Sequence, residues 1–309
     1  MSTSPGLPRF GRLITAMVTP FDEAGVLDVD GAVELARWLA GHGSDGLVLT
    51  GSTGESSVLS DEEKLSLWSA VSAAVTVPVI AGTGSNDTEH SVRLTAQAKA
   101  CGVDGVLVVT PYYNRPSQSG LYEHFRAVAG ASGGLPVILY DVPVRTGRRI
   151  AASTIVRLAH DEAAIVALKD AAGDPVGTAH LAARVPAGFE IYSGDDAMTL
   201  PLLAIGAVGL ISVAAHWVGP QMKAVLEAFL RGDLAEAIAG NARLLEAIDF
   251  QSSDEYPNPL PAKAMCRALD LPVGQCRLPM GASSPELDAQ AAKILATFGP
   301  PSATGQPVA

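Results

Sequence analysis

Short runs of apolar, β-branched residues recur along the chain at regular intervals, and within them polar residues do not alternate with apolar ones. They lie at Leu13 to Val18, Gly46 to Leu49, Val77 to Ala81, Val106 to Val109, Val137 to Tyr140, Ile165 to Leu168, Phe189 to Tyr192 and Val208 to Val213, eight in all. Runs of this length without alternation predict strands buried on both faces, the pattern of parallel sheets covered by helices. The intervals between them carry helical spacing, as in Val29, Ala32, Val33, Ala36 and Ala40, or Leu65, Trp68, Val71 and Val75. Ser60-x-x-Glu63 and Asn86-x-x-Glu89 have the form of capping boxes at helix starts.

Eight strand-helix units predict an α/β protein with a closed (β/α)8 barrel rather than an open doubly wound sheet. The nearest approach to a dinucleotide fingerprint is Gly82-Thr83-Gly84, with Asp87 where the third glycine would stand, so a Rossmann site is excluded. Beyond an eighth helix at about Pro220 to Phe229, the pattern becomes alanine- and leucine-rich and helical, without strands, from Asp233 to Phe298. The expected organisation is an N-terminal arm at 1–10, a barrel at 11–232 carrying the active site, a small C-terminal helical extension at 233–298 and a flexible tail at 299–309.

Composition narrows the function. A length of 309 residues with 48% hydrophobic and 17% charged residues suits one large globular unit with a small appendage. A net charge of -11 opposes association with nucleic acid or an anionic membrane, both of which need a basic face. Ala197 to Met222 carries no Asp, Glu, Lys or Arg, but Pro201, Gly206, Gly209 and Gly219 interrupt it, so it reads as a buried helix, a turn and a strand rather than a membrane span. Cys101, Cys266 and Cys276 fit neither a disulfide framework nor a zinc site. With no apolar leader in Met1 to Leu7, a cytoplasmic protein is expected. The six histidines show no metal-ligand spacing, and Asp195-Asp196 reads as a helix N-cap followed by a first-turn acid, so no metal is expected.

In a barrel of this kind, catalytic groups sit where strands end. Those ends carry Gly51-Ser52-Thr53-Gly54-Glu55-Ser56, Thr110-Pro111-Tyr112-Tyr113-Asn114-Arg115, Tyr140-Asp141-Val142-Pro143-Val144-Arg145, Lys169-Asp170 and Ser193-Gly194-Asp195-Asp196. Of the six lysines, Lys169 alone directly follows a predicted buried strand. Desolvation disfavours the charged form of an amine and leaves a nucleophile able to attack a ketone. A lysine snorkelling out at a strand end is the competing reading. Tyr140, on the neighbouring strand, could pass protons to that amine, or simply be a core tyrosine with a satisfied hydroxyl. Ser52 and Tyr113 could extend the same hydroxyl chain towards solvent. The glycine turn at 51–54 offers hydroxyls and N–H groups to a carboxylate, although many such turns exist, and Arg145 could hold a second carboxylate or lie solvated in a loop.

These strings, from Gly-Ser-Thr-Gly-Glu-Ser at 51–56 through Thr-Pro-Tyr-Tyr-Asn-Arg-Pro-Ser-Gln at 110–118, Tyr-Asp-Val-Pro-Val-Arg-Thr-Gly at 140–147, Lys169 and Ser-Gly-Asp-Asp at 193–196 to Gly-Leu-Ile-Ser-Val at 209–213, carry a resemblance. Over about Gly11 to Thr297 the chain resembles the dihydrodipicolinate synthase family, within the superfamily that includes N-acetylneuraminate lyase. The resemblance implies class I aldolase chemistry without a cofactor. Lys169 would form a Schiff base with pyruvate, and the enamine would attack L-aspartate-4-semialdehyde to give 4-hydroxy-tetrahydrodipicolinate on the lysine and diaminopimelate route. It further implies Tyr140 as proton relay completed by Ser52 and Tyr113, Thr53 at the pyruvate carboxylate, Arg145 at the aldehyde's carboxylate, and Gly194 and Ile211 in the pocket wall. Since the phenol matching Tyr113 serves the neighbouring subunit's site, a homodimer or homotetramer is implied.

Serine at position 52, where the synthases usually have threonine, is also the lyase form, and the hydroxyl survives. Arg145, the Tyr112-Tyr113 pair and Ile-Ser-Val at 211–213 resemble the synthases. Where lysine-inhibited members carry histidines and a glutamate, this chain has Asp61, Lys64 and His90, with Asn86 and Tyr112 retained, so weak or absent lysine inhibition is expected. A related pyruvate-dependent aldolase or lyase is the alternative, and a catalytically silent binding barrel a further one.

Overall fold

The computed structural model describes residues 7–299. Of the expected arm and tail, residues 1–6 and 300–309 lie outside the described residues. Eight parallel strands close into a barrel in sequence order, β1 (Leu13–Ala16), β2 (Gly46–Leu49), β3 (Val79–Gly82), β4 (Gly105–Val109), β5 (Val137–Asp141), β6 (Ile165–Asp170), β7 (Glu190–Ser193) and β8 (Gly209–Ser212), with β8 pairing back onto β1. Helices follow the strands on the outside.

Strand residues alternate between two apolar layers, which is why the strands read as unbroken hydrophobic runs. Ile14, Val48, Ile80, Leu107, Ile138, Ala167 and Ile211 fill the barrel interior, while Leu13, Leu47, Val79, Val106 and Val137 face outward with Trp68 and Trp217 against the helices. Phe10, assigned from sequence to the arm, is 1% exposed and belongs to the interior cluster. Among the described residues no helix is long and apolar enough to cross a membrane.

Local chemistry adjusts several element ends. The Ser60 capping box forms in both directions, with Glu63 N donating to Ser60 Oγ at 3.2 Å and Ser60 N donating to the Glu63 carboxylate at 2.9 Å. The second box does not form. Asp87 caps the helix Thr88–Ala98 by accepting from Glu89 N, and the Asn86 carbonyl accepts from the Asn114 side chain instead. A carboxylate one residue closer to the helix reaches its first N–H groups directly and displaces the amide from that role. The helix expected to begin at Pro220 starts at Ala215 and runs to Leu230, with a break at Val218 where proline cannot donate to the turn before it.

The chain beyond residue 233 forms the helices Leu234–Asp249, Leu260–Ala268 and Pro285–Phe298. The segment between the first two, together with the end of the first, reaches over the mouth of the barrel at the carboxyl ends of the strands.

Candidate active site

Strand β6 extends two residues beyond the expected run, so Lys169 lies within it, opposite Tyr140 of β5 and Tyr192 of β7 in the register of the ladder. Its side chain turns inward, 5% exposed, with Nζ 4.4 Å from the centroid of the Tyr140 ring. Among the described residues no carboxylate pairs with this amine. Gly194, after β7, is required beside it: a Cβ there would come within 3.0 Å of Lys169 Cγ and 2.9 Å of Ala171 Cβ, so a side chain would push the lysine stem aside.

Two cavities meet at this point. One, of about 310 Å³, is lined by Lys169, Tyr140, Thr53, Gly194, Arg145 and Asn258 among others. The other, of about 460 Å³, carries Tyr112, Tyr113, Thr50 and Gly82 on its wall. Ser52, Tyr140, Val142 and Arg145 belong to both. The fold thus brings Lys169, Tyr140, Ser52, Thr53, Arg145 and Gly194 to one cavity. Tyr113 is 89% exposed with a left-handed backbone and lines only the neighbouring cavity. Ile211 is 1% exposed in the barrel interior, sharing a cluster with Tyr140, and lines neither cavity.

The loop carrying Ser52 and Thr53 is fastened from two sides. Thr50 Oγ1 accepts from the indole of Trp68 at 2.9 Å and donates to the Gly82 carbonyl. Glu55, left-handed at φ 55°, directs its carboxylate into the C-terminal unit, where Lys263 Nζ lies 2.7 Å away and Arg277 N donates at 2.9 Å. Lys263 also donates to the Gln275 carbonyl, and both Lys263 and Arg277 sit 4.2 Å from the centroid of the Phe21 ring. Burial pulls the Lys263 ammonium down and the charge of Glu55 opposes it. Asn258 and Lys263 escaped sequence reasoning, since they belong to no strand end.

Asp195 caps the turn after β7 as expected, accepting from Ala197 N at 2.9 Å. Asp196 stands in the first turn, as expected, but points into the protein. It is 2% exposed, accepts from the Ser212 hydroxyl and from Val213 N, and so brackets the end of β8. Burial raises its pKa. The residues at the expected effector position form a separate cluster, in which His90 Nε2 lies 2.8 Å from Asp61 and Lys64 Nζ 3.8 Å from it.

Behind Tyr140 and Lys169, the next residues of the same strands, Asp141 and Asp170, are also register partners and buried at 2% and 5% exposure. Ile150 N donates to Asp141, whereas Arg149 remains 4.0 Å away; Asp170 accepts from Ala172 N and from the Thr178 hydroxyl. Burial pushes Asp141 up to about 7, with the charge of Asp170 adding to the rise and the Ile150 N–H opposing it. Because the folded state keeps a proton that the unfolded chain releases near 3.8, stability falls as pH rises from about 4 to about 7. Asp141→Asn removes this loss, and its amide oxygen can still accept from Ile150 N. The variant is expected to exceed the wild type by up to about 4 kcal/mol above pH 7, a gain that vanishes towards pH 4. Urea unfolding at both pH values checks this, and an equal difference at the two would refute it.

Fold and cavity define a (β/α)8 barrel with its polar groups gathered at the carboxyl-end mouth, where enzymes of this architecture place their chemistry. The chain belongs to the dihydrodipicolinate synthetase family, whose model matches residues 9–297. It is 48% identical over 292 residues to a 4-hydroxy-tetrahydrodipicolinate synthase of Moorella thermoacetica, covering 94% of this chain and 99% of the relative. A protein of the same name from Symbiobacterium thermophilum is 49% identical over 295 residues, covering 95% and 99%. Among solved structures, DHDPS from Cyanidioschyzon merolae with lysine bound superposes with a TM-score of 0.90 at 41% identity, covering 94% of this chain and 98% of the other. A dihydrodipicolinate synthase from Bacillus anthracis gives 0.90 at 40% identity, covering 96% and 100%.

Proposed function

We propose that the protein condenses pyruvate with L-aspartate-4-semialdehyde to give 4-hydroxy-tetrahydrodipicolinate. The observation that carries this is the buried Lys169 amine against the Tyr140 ring, in a cavity that also holds Thr53 and Arg145. Relatives at 48% and 49% identity bear the synthase name.

Lys169 Nζ attacks the ketone carbon of pyruvate, and loss of water leaves the imine. Removal of a methyl proton gives the enamine, whose terminal carbon bonds to the aldehyde carbon of the second substrate and turns its oxygen into a hydroxyl. The amino group of that substrate then displaces Lys169 from the imine carbon, which closes the ring and frees the enzyme. One water leaves overall.

Tyr140 carries protons to and from the carbinolamine, with Ser52 and the partner subunit's Tyr113 extending the route to solvent. The exposure of Tyr113 in a single chain supports a homodimer or homotetramer. Thr53 and Gly194 hold pyruvate, Ile211 backs the pocket from the barrel interior through its cluster with Tyr140, and Arg145 receives the carboxylate of the semialdehyde. A cytoplasmic setting fits a chain with three free cysteines.

The test is direct assay. Ring product is expected from pyruvate and L-aspartate-4-semialdehyde, and borohydride reduction with pyruvate alone is expected to leave a three-carbon adduct on Lys169 by mass mapping. Robust acylneuraminate cleavage without ring product would replace this reading with that of a lyase.

A further inference from the structure

Between the two proposed carboxylate-binding groups lies a buried amide that belongs to none of the motifs at the strand ends. Asn258 is 7% exposed and comes from the segment after the helix Leu234–Asp249. Its side-chain Nδ2 donates to Thr53 Oγ1 at 3.0 Å, and its backbone carbonyl accepts from a terminal nitrogen of Arg145 at 3.2 Å. Its own N–H donates to Ser252 Oγ at 3.3 Å, which fixes it in place.

Hydrogen-bond direction gives this arrangement its consequence. A hydroxyl that accepts from an amide nitrogen has its own hydrogen left over. Among the described residues no protein group takes the Thr53 hydroxyl hydrogen. On the other side, a single guanidinium nitrogen of Arg145 is engaged, and the remaining N–H groups have no protein acceptor among the described residues. We propose that Asn258 is a positioning residue for both substrates: its amide turns the Thr53 hydroxyl into a donor towards the pyruvate carboxylate, and its carbonyl anchors Arg145 with the rest of the guanidinium free for the second carboxylate. The inference rests on the functional reading above.

Substituting the amide separates this role from simple packing. Asn258→Asp keeps the shape but has no N–H, so the Thr53 hydroxyl turns to donate to it, away from pyruvate, and a negative charge stands beside the substrate's own. Asn258→Ala leaves the hydroxyl unaimed but still free to donate. Asn258→Ser offers a short donor. The pyruvate concentration for half-maximal borohydride trapping on Lys169 is expected to rise about 10-fold in the alanine variant and about 100-fold in the aspartate variant, the scale of losing and then opposing a hydrogen bond to a charged group. The serine variant falls nearest the wild type, and the KM for the semialdehyde moves less than the pyruvate requirement, because the backbone carbonyl that holds Arg145 survives each substitution.

A merely structural asparagine predicts the reverse order, because aspartate is the closer match in shape. A pyruvate requirement for the aspartate variant equal to or milder than that of the alanine variant would therefore overturn the proposal. Three variants keep the order readable if one fails to fold. Should the wild type form no pyruvate adduct, the functional reading itself falls and this inference with it, an outcome distinct from an adduct with the wrong order of variants.

Discussion

Lys169→Ala is expected to lower the condensation rate at least about a thousandfold, equivalent to about 4 kcal/mol of barrier. The reason is the loss of the covalent step, which divides one difficult reaction into several easier ones. Stability should move the other way or stay level, since the variant removes a buried amine, at 5% exposure, that has a ring face and no carboxylate for company. Steady-state assay of ring product and a denaturant midpoint measure the two effects. A residual rate within tenfold of the wild type would mean that another group carries the chemistry.

The second large effect concerns a different lysine. In Lys263→Met, the Glu55 carboxylate loses the ammonium 2.7 Å away, in a site where the paired side chains are 1% and 2% exposed. Removing one member of such a pair costs about 3–5 kcal/mol, far more than the pair contributes when both are replaced by apolar groups. Lys263→Met is therefore expected to lower unfolding free energy by that amount, and the double variant with Glu55→Gln to recover much of it. Urea titrations at constant slope give the comparison. Since Glu55 anchors the loop bearing Ser52 and Thr53, the single variant should also need more pyruvate. A loss below about 1 kcal/mol would show that the Glu55 side chain reaches solvent instead.

The barrel was legible because its strands bury both faces, so uninterrupted runs such as Val137 to Tyr140 could hardly be anything else. Lys169 was legible for the same reason: a charged residue at the end of an apolar strand stands out. What the sequence hid depends on contacts across the chain. Asn258 sits between two prolines, in a string that reads as a turn, and only the folded chain brings it to Thr53 and Arg145. Lys263, in an ordinary helical pattern, acquires meaning from Glu55 more than 200 positions earlier. Ile211 follows the inward alternation of β8 and so lies inside the barrel with Tyr140, whereas motif position alone says nothing of depth. Asp87 rather than Asn86 caps its helix, a one-residue choice that local pattern leaves open.

The fastening of Thr53 by Asn258, 205 positions later, and of Glu55 by Arg277, 222 positions later, also sets when the site can exist. At synthesis rates of about 5–20 residues per second, the hydroxyl loop waits roughly 10–40 s for its anchors to leave the ribosome. Until then the loop bearing Ser52 and Thr53 lacks these partners, and a chain cut short before Asn258 keeps the lysine but not the frame around it.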